Sequence, residues 1–126
     1  MNLLVYIIVY PFMWLISRMS FGLIYLLSDI MYYLIYYIFS YRKKVVRENL
    51  KLAFPKMSIE ERIKIEKKYY RYLSDIFLES FKSMNISEDE MKKRYKFKNP
   101  ELLNRIYDKN QNLILIAGHY CSWEWV

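Results

Sequence analysis

Apolar positions run almost unbroken through the first forty residues and then become periodic. Residues 3–16 are apolar apart from tyrosine hydroxyls, with Pro11 in the middle. A helix over that stretch is roughly 21 Å long, short of a hydrocarbon core of about 30 Å. Arg18 and Ser20 interrupt, and residues 21–39 form a second run broken only by Ser28 and Asp29. That run is long enough to span a bilayer, yet Tyr25, Tyr32, Tyr33, Tyr36 and Tyr37 favour the membrane interface. Three arrangements fit: one spanning helix, a two-helix hairpin dipping into one leaflet, or a hairpin buried in a soluble fold. The pattern favours the monotopic hairpin slightly over the span. In either membrane arrangement Asp29 is costly against lipid and must face protein, water or headgroups.

Beyond residue 40 the pattern is that of amphipathic helices. In the segment Tyr41-Arg42-Lys43-Lys44-Val45-Val46-Arg47-Glu48-Asn49-Leu50-Lys51, Lys44, Arg47 and Lys51 share one helical face, and Val46, Leu50 and Ala53 another. Phe54-Pro55 ends this helix. Ser58-x-x-Glu61 is a capping box that opens the next, along which Ile59, Ile63, Tyr70, Leu73, Phe77 and Met84 recur at helical spacing and predict a buried face. Ser87-x-x-Glu90 is a second capping box. Tyr95-Lys96-Phe97 has the alternation of a short strand, and Asn99-Pro100 opens a further helix to about Tyr107. After a polar turn, Leu113-Ile114-Leu115-Ile116-Ala117 is a continuous aliphatic run, which predicts a strand buried on both faces. The fold class expected is α/β: a membrane helix or helical hairpin, a helical region, and then the first strands of a sheet.

Composition supports helices over turn-rich β structure, because hydrophobic residues make up 55% of the 126 and there are only 2 Gly and 3 Pro. It also excludes disorder. The net charge of +7 lies entirely after the apolar segment, since residues 1–40 carry only Arg18 and Asp29. A basic excess beside forty apolar residues points to a membrane surface rather than nucleic acid. The cluster at 42–51 places the following region in the cytoplasm by the positive-inside tendency. The face of Lys44, Arg47 and Lys51 suits anionic headgroups, although a solvated face beside a core stripe explains it equally well. The single cysteine, Cys121, excludes an internal disulfide and fits a reducing compartment. The start Met1-Asn2-Leu3-Leu4 lacks a basic region and no small-residue cleavage site follows, so the apolar segment is expected to stay attached.

Candidate chemistry gathers at the carboxyl end of the predicted strand, where Gly118-His119 is followed five residues on by Glu124. Gly118 permits a close approach or an unusual backbone conformation. A carboxylate on one imidazole nitrogen fixes the tautomer and stabilises the imidazolium, which leaves the other nitrogen to act as a base. A His and a Glu at this spacing also arise by chance. Cys121 is poorly placed as a nucleophile two residues from His119, and a small packed cysteine is the usual outcome. Metal binding by His119, Cys121 and Glu124 lacks a fourth ligand. Trp123 and Trp125 read as packing or interface anchors.

Gly118-His119-Tyr120-x-x-Trp123-Glu124-Trp125 resembles the His-x4-Glu signature of the bacterial lipid A biosynthesis acyltransferases. Tyr41-Arg42, Val46, Asn49-Leu50, Phe54-Pro55 and Leu26-Leu27-Ser28-Asp29 are similar to that family's amino-terminal part. The resemblance implies a lysophospholipid-acyltransferase-like α/β fold, with residues 1–40 as a membrane anchor and 41–126 as the first portion of the acyltransferase domain. It implies transfer of a fatty acyl chain from an acyl carrier protein or coenzyme A thioester to a hydroxyl of a lipid A precursor, at the cytoplasmic face of the bacterial inner membrane. His119 is the implied general base and Glu124 its orienting partner. No bound cofactor, metal or nucleic acid is implied. Positions 121–122 read Cys-Ser where Gly-Asn is more usual. The family's fold continues well beyond Val126, so a 126-residue chain is expected to be an inactive amino-terminal fragment. The alternative is a small membrane-surface adaptor without catalysis.

Overall fold

A computed structural model describes residues 3–96, 98–114, 116 and 118. Its described elements are helical: α1 (Leu3–Arg18), α2 (Phe21–Tyr33), which continues as a π-helical turn (Leu34–Ile38), α3 (Lys43–Ala53), α4 (Ile59–Lys82), which ends in a 3-10 turn (Ser83–Asn85), α5 (Glu88–Arg94) and α6 (Pro100–Asp108). The chain divides into two compact units, Met1–Asn85 and Ile86–Val126.

In the first unit α4 is the spine, and α1, α2 and α3 all pack on it. Its start is fixed as the sequence predicts. Ser58 Oγ accepts from the Glu61 amide at 3.2 Å, and the Ser58 amide donates to Glu61 Oε2 at 2.9 Å. This bond to a backbone amide holds the Glu61 carboxyl below the usual carboxylate range. Ser58→Ala removes one of the two bonds and is expected to cost about 1 kcal/mol. The check is a lowered thermal midpoint in detergent that Ser58→Asp restores.

The buried stripe of α4 follows the apolar spacing at Tyr70 and in part at Ile63 and Leu73, and departs from it elsewhere. Glu66, Tyr70, Ser74 and Leu78 are buried, whereas Ile59, Phe77 and Met84 are exposed. Glu66 is buried against Arg47 of α3, the Ser74 hydroxyl donates to the Tyr70 carbonyl at 3.0 Å, and α2 carries further polar groups that meet partners on α4. Tyr25 Oη donates to Glu79 Oε1 at 2.9 Å, Ser28 Oγ donates to Asp75 Oδ1, and Asp29 lies 3.9 Å from the Arg71 guanidinium. At the far end Lys82 Nζ donates to the Ser17 carbonyl at 2.8 Å. Apolar clusters flank this polar seam. Ile16, Ile24 and Leu78 pack together with Met19, Leu27 and Phe81, and Tyr32, Tyr36 and Tyr70 pack with Ile35, Val46 and Leu73.

Helix α1 runs through Pro11 and exposes most of its apolar side chains, including Ile7, Ile8, Phe12 and Leu15. The segment Phe21–Ile38 is the one described helix long and apolar enough to cross a membrane. It turns one face to the charged helix α4 and leaves Leu23, Leu26, Ile30, Tyr33 and Ile38 exposed on the other.

The second unit is built on local signals. Ser87 Oγ accepts from the Glu90 amide at 3.3 Å, while the Glu90 carboxylate turns to Lys93 and Arg94 rather than back to the cap. The box predicted there is therefore one-sided. Glu88, Asp89 and Glu90 in the first turn and Lys92, Lys93 and Arg94 in the last complement the helix dipole of α5. Pro100 takes the first position of α6, although the Asn99 side chain makes no capping bond.

The α/β expectation is overturned, because no strand is present among the described residues. Of the aliphatic run 113–117, Leu113, Ile114 and Ile116 are outside any strand, with Ile114 86% and Ile116 91% exposed. Leu115 and Ala117 lie outside the described residues. Tyr95 is extended as the C-cap of α5, and neither it nor Lys96 joins a strand. Phe97, the last residue of that predicted strand, lies outside the described residues. Aliphatic character suits a buried strand, but only a neighbouring ladder satisfies a strand's backbone. No such neighbour exists among the described residues.

Candidate functional site

The polar groups of unit 1 converge where the end of α2, the start of α3 and the middle of α4 meet. The π-helical turn at Leu34–Ile38 widens the end of α2, where its tyrosines pair at i, i+4 in two rows. Tyr32 stacks on Tyr36 at 5.6 Å between ring centroids, and Tyr33 lies over Tyr37 at 5.0 Å. Tyr36 meets Tyr70 of α4 edge-on at 5.2 Å.

The connection into α3 is strained and held from outside. Ser40 and Arg42 both adopt left-handed backbone conformations, with φ of 49° and 50°, which costs a non-glycine residue about 1–2 kcal/mol. Tyr41 between them is fixed at both ends of its peptide unit. Its amide donates to the Ile35 carbonyl at 2.9 Å, and its carbonyl accepts from the Tyr70 hydroxyl. Burial, followed by the negative charge of Glu66, pushes the Tyr70 hydroxyl above its ordinary pKa, so it remains a proton donor to that carbonyl.

Beneath this corner lies an ion pair. Arg47 Nε donates to Glu66 Oε2 at 2.9 Å and Arg47 Nη2 to Glu66 Oε1 at 3.3 Å. The Glu66 side chain is 1% exposed and that of Arg47 is 56% exposed. The bonds to Glu66 hold the Arg47 guanidinium above its already high pKa. A cleft of about 210 Å³ opens beside the pair, lined by Leu50, Lys51, Ile59, Arg62 and Ile63. With its carboxylate so engaged, Glu66 serves to position α3 against α4.

Of the basic face predicted on α3, Lys44 and Lys51 are exposed, while Arg47 turns its charge to Glu66. Glu66 was not among the predicted site residues. The signal for it is a carboxylate in the apolar stripe between Ile63 and Tyr70, where burial demands a cation. His119 and Glu124 lie outside the described residues, as do Cys121, Trp123 and Trp125. Next to them, no described residue comes within 4 Å of where a Cβ on Gly118 would stand. Among the described residues no cluster of His, Cys, Asp or Glu can hold a metal ion.

The described corner supplies a scaffold and a charged surface, so family is decided by the sequence as a whole. A model of the bacterial lipid A biosynthesis acyltransferases matches residues 2–126. The chain belongs to that family. Neither the curated proteins nor the solved structures compared with it include a match. Membership assigns this lipid A acyltransferase homologue to acyl transfer in lipid A biosynthesis and to the membrane. The matched region takes in the apolar helices α1 and α2, the corner around Arg47 and Glu66, and the segment containing His119 and Glu124.

Proposed function

We propose that this protein transfers a fatty acyl group from an acyl carrier protein or coenzyme A thioester to a hydroxyl of a lipid A precursor, with His119 as general base and Glu124 orienting it. The observation that carries this reading is the family match across residues 2–126, which includes Gly118-His119-Tyr120-x-x-Trp123-Glu124-Trp125.

Chemically, His119 takes the proton of the acceptor hydroxyl as its oxygen attacks the thioester carbonyl. The tetrahedral intermediate collapses with cleavage of the C–S bond, and the leaving thiolate recovers the proton from the imidazolium. The Glu124 carboxylate stabilises that imidazolium while it exists. Water competes with the acceptor for the thioester, so the reaction benefits from a site at a membrane surface, where the glycolipid is concentrated and positioned. The apolar helices α1 and α2 and the basic start of α3 suit attachment to the inner membrane from the cytoplasmic side.

The test is to express the gene in cells lacking their own late lipid A acyltransferases and to read lipid A by mass spectrometry. The expected result is a lipid A species heavier by one fatty acyl chain. Membrane-bound protein with unaltered lipid A would overturn acyl transfer by the 126-residue chain, as both the inactive-fragment and the adaptor readings expect.

A further inference from the structure

We infer that a groove between the end of α2 and the middle of α4 binds the phosphate headgroup of an anionic membrane phospholipid. The groove has a volume of about 290 Å³ and is lined by Tyr32, Tyr33, Tyr37, Lys67, Lys68 and Arg71. One wall is thus three tyrosines and the other three cations.

Charge is the first argument. Lys67, Lys68 and Arg71 are exposed on one side of α4. Lys67 and Lys68 make no ion pair among the described residues. The carboxylate nearest to Arg71, that of Asp29, is 3.9 Å away and 64% exposed, too open to neutralise the cluster. Lys43 adds a further positive charge at the Tyr37 side, with its Nζ 3.8 Å from the Tyr36 ring centroid and 5.7 Å from that of Tyr37. Three cations converging on one cleft leave an uncompensated positive field, which suits a phosphate diester.

Position is the second argument, and it selects a lipid over a free anion. The tyrosine wall belongs to the apolar helix whose outer face exposes Leu26, Ile30, Leu34 and Ile38. With that face in the acyl region, Tyr33 and Tyr37 fall where tyrosines collect at a bilayer boundary. The ammonium groups of Lys67 and Lys68 then stand at the level of the phosphates. An arginine over an aromatic face, as Arg71 is over Tyr32 at 5.2 Å, keeps the guanidinium directed along this boundary. The groove differs from the face of Lys44, Arg47 and Lys51, whose central cation is committed to Glu66. The inference rests on the membrane association of the family and does not require that acyl transfer occurs.

The experiment is co-sedimentation of detergent-purified full-length protein, reconstituted by dilution, with vesicles of phosphatidylcholine alone or of phosphatidylcholine containing phosphatidylglycerol. Each surface lysine contributes enough that Lys67→Gln/Lys68→Gln is expected to lower affinity for the anionic vesicles roughly 30-fold, with binding to neutral vesicles unchanged. The control Lys92→Gln/Lys93→Gln removes the same charge from α5 and is expected to change binding far less. Equal losses in the two double variants would reduce the effect to net charge and overturn the groove. Displacement of the protein from anionic vesicles by inorganic phosphate at constant ionic strength would overturn a lipid ligand in favour of a free anion. Failure to bind either vesicle would overturn the membrane association on which the inference rests.

Discussion

His119→Ala is expected to reduce acyl transfer by roughly a thousand-fold, while leaving the amount of membrane-bound protein unchanged. A positioned general base typically contributes between about a hundred- and ten-thousand-fold, and a hydroxyl is a poor nucleophile until its proton is removed. No other histidine is present in the chain to substitute for it. The measurement is the rate at which membranes containing each variant acylate a lipid A precursor from an acyl thioester. Retention of transfer to within about ten-fold would remove His119 from the role of base.

Glu124 yields a prediction of different form, because it acts through His119. A carboxylate beside an imidazole favours the protonated ring. In the wild type the rate should fall toward acid as the base becomes protonated. Glu124→Ala should lower the rate and also move that acid limb to lower pH, since the imidazole loses the group that stabilises its cation. A fall in rate with an unmoved acid limb would indicate that Glu124 only supports the local structure.

What could be read in the residues follows the range of the interactions concerned. Caps and helix ends were legible because they are local. Ser58 with Glu61, Pro100 at the start of α6 and Phe54-Pro55 after α3 each act within a few residues, and all lie where the sequence places them. The buried face of α4 was read correctly at Tyr70 and missed at its polar positions, whose partners lie 19 residues away for Glu66 and 47 for Asp75. Glu66 and Asp75 look solvent-facing until Arg47 of α3 and Ser28 of α2 are set against them. The strand at 113–117 was misread for a related reason: its aliphatic residues meet the requirement for burial, but a ladder is a property of two segments. The family was legible because its motif is a combination of residue types at fixed spacing, which survives without knowledge of the fold.

Arg47→Met is expected to destabilise the first unit by about 2–3 kcal/mol, among the largest single-site effects outside the chemistry. The variant keeps the aliphatic stem but leaves the Glu66 carboxylate, 1% exposed, without the cation that pairs with it. Breaking a fully buried pair costs about 3–5 kcal/mol. The lower figure is appropriate because Arg47 is 56% exposed and water already reaches its side of the pair. In a unit of this size the thermal midpoint should fall by roughly ten degrees or more. Arg47→Met/Glu66→Leu should recover most of the loss, because removing both charges also removes the cost of burying one alone. Alkaline pH cannot imitate the mutation. Glu66 holds the guanidinium above its ordinary pKa, so on the alkaline side the charge on Arg47 persists until pH rises through that higher folded value. A double variant no more stable than Arg47→Met would show that the guanidinium acts through packing on α3 and α4, and not through the charge it brings to Glu66.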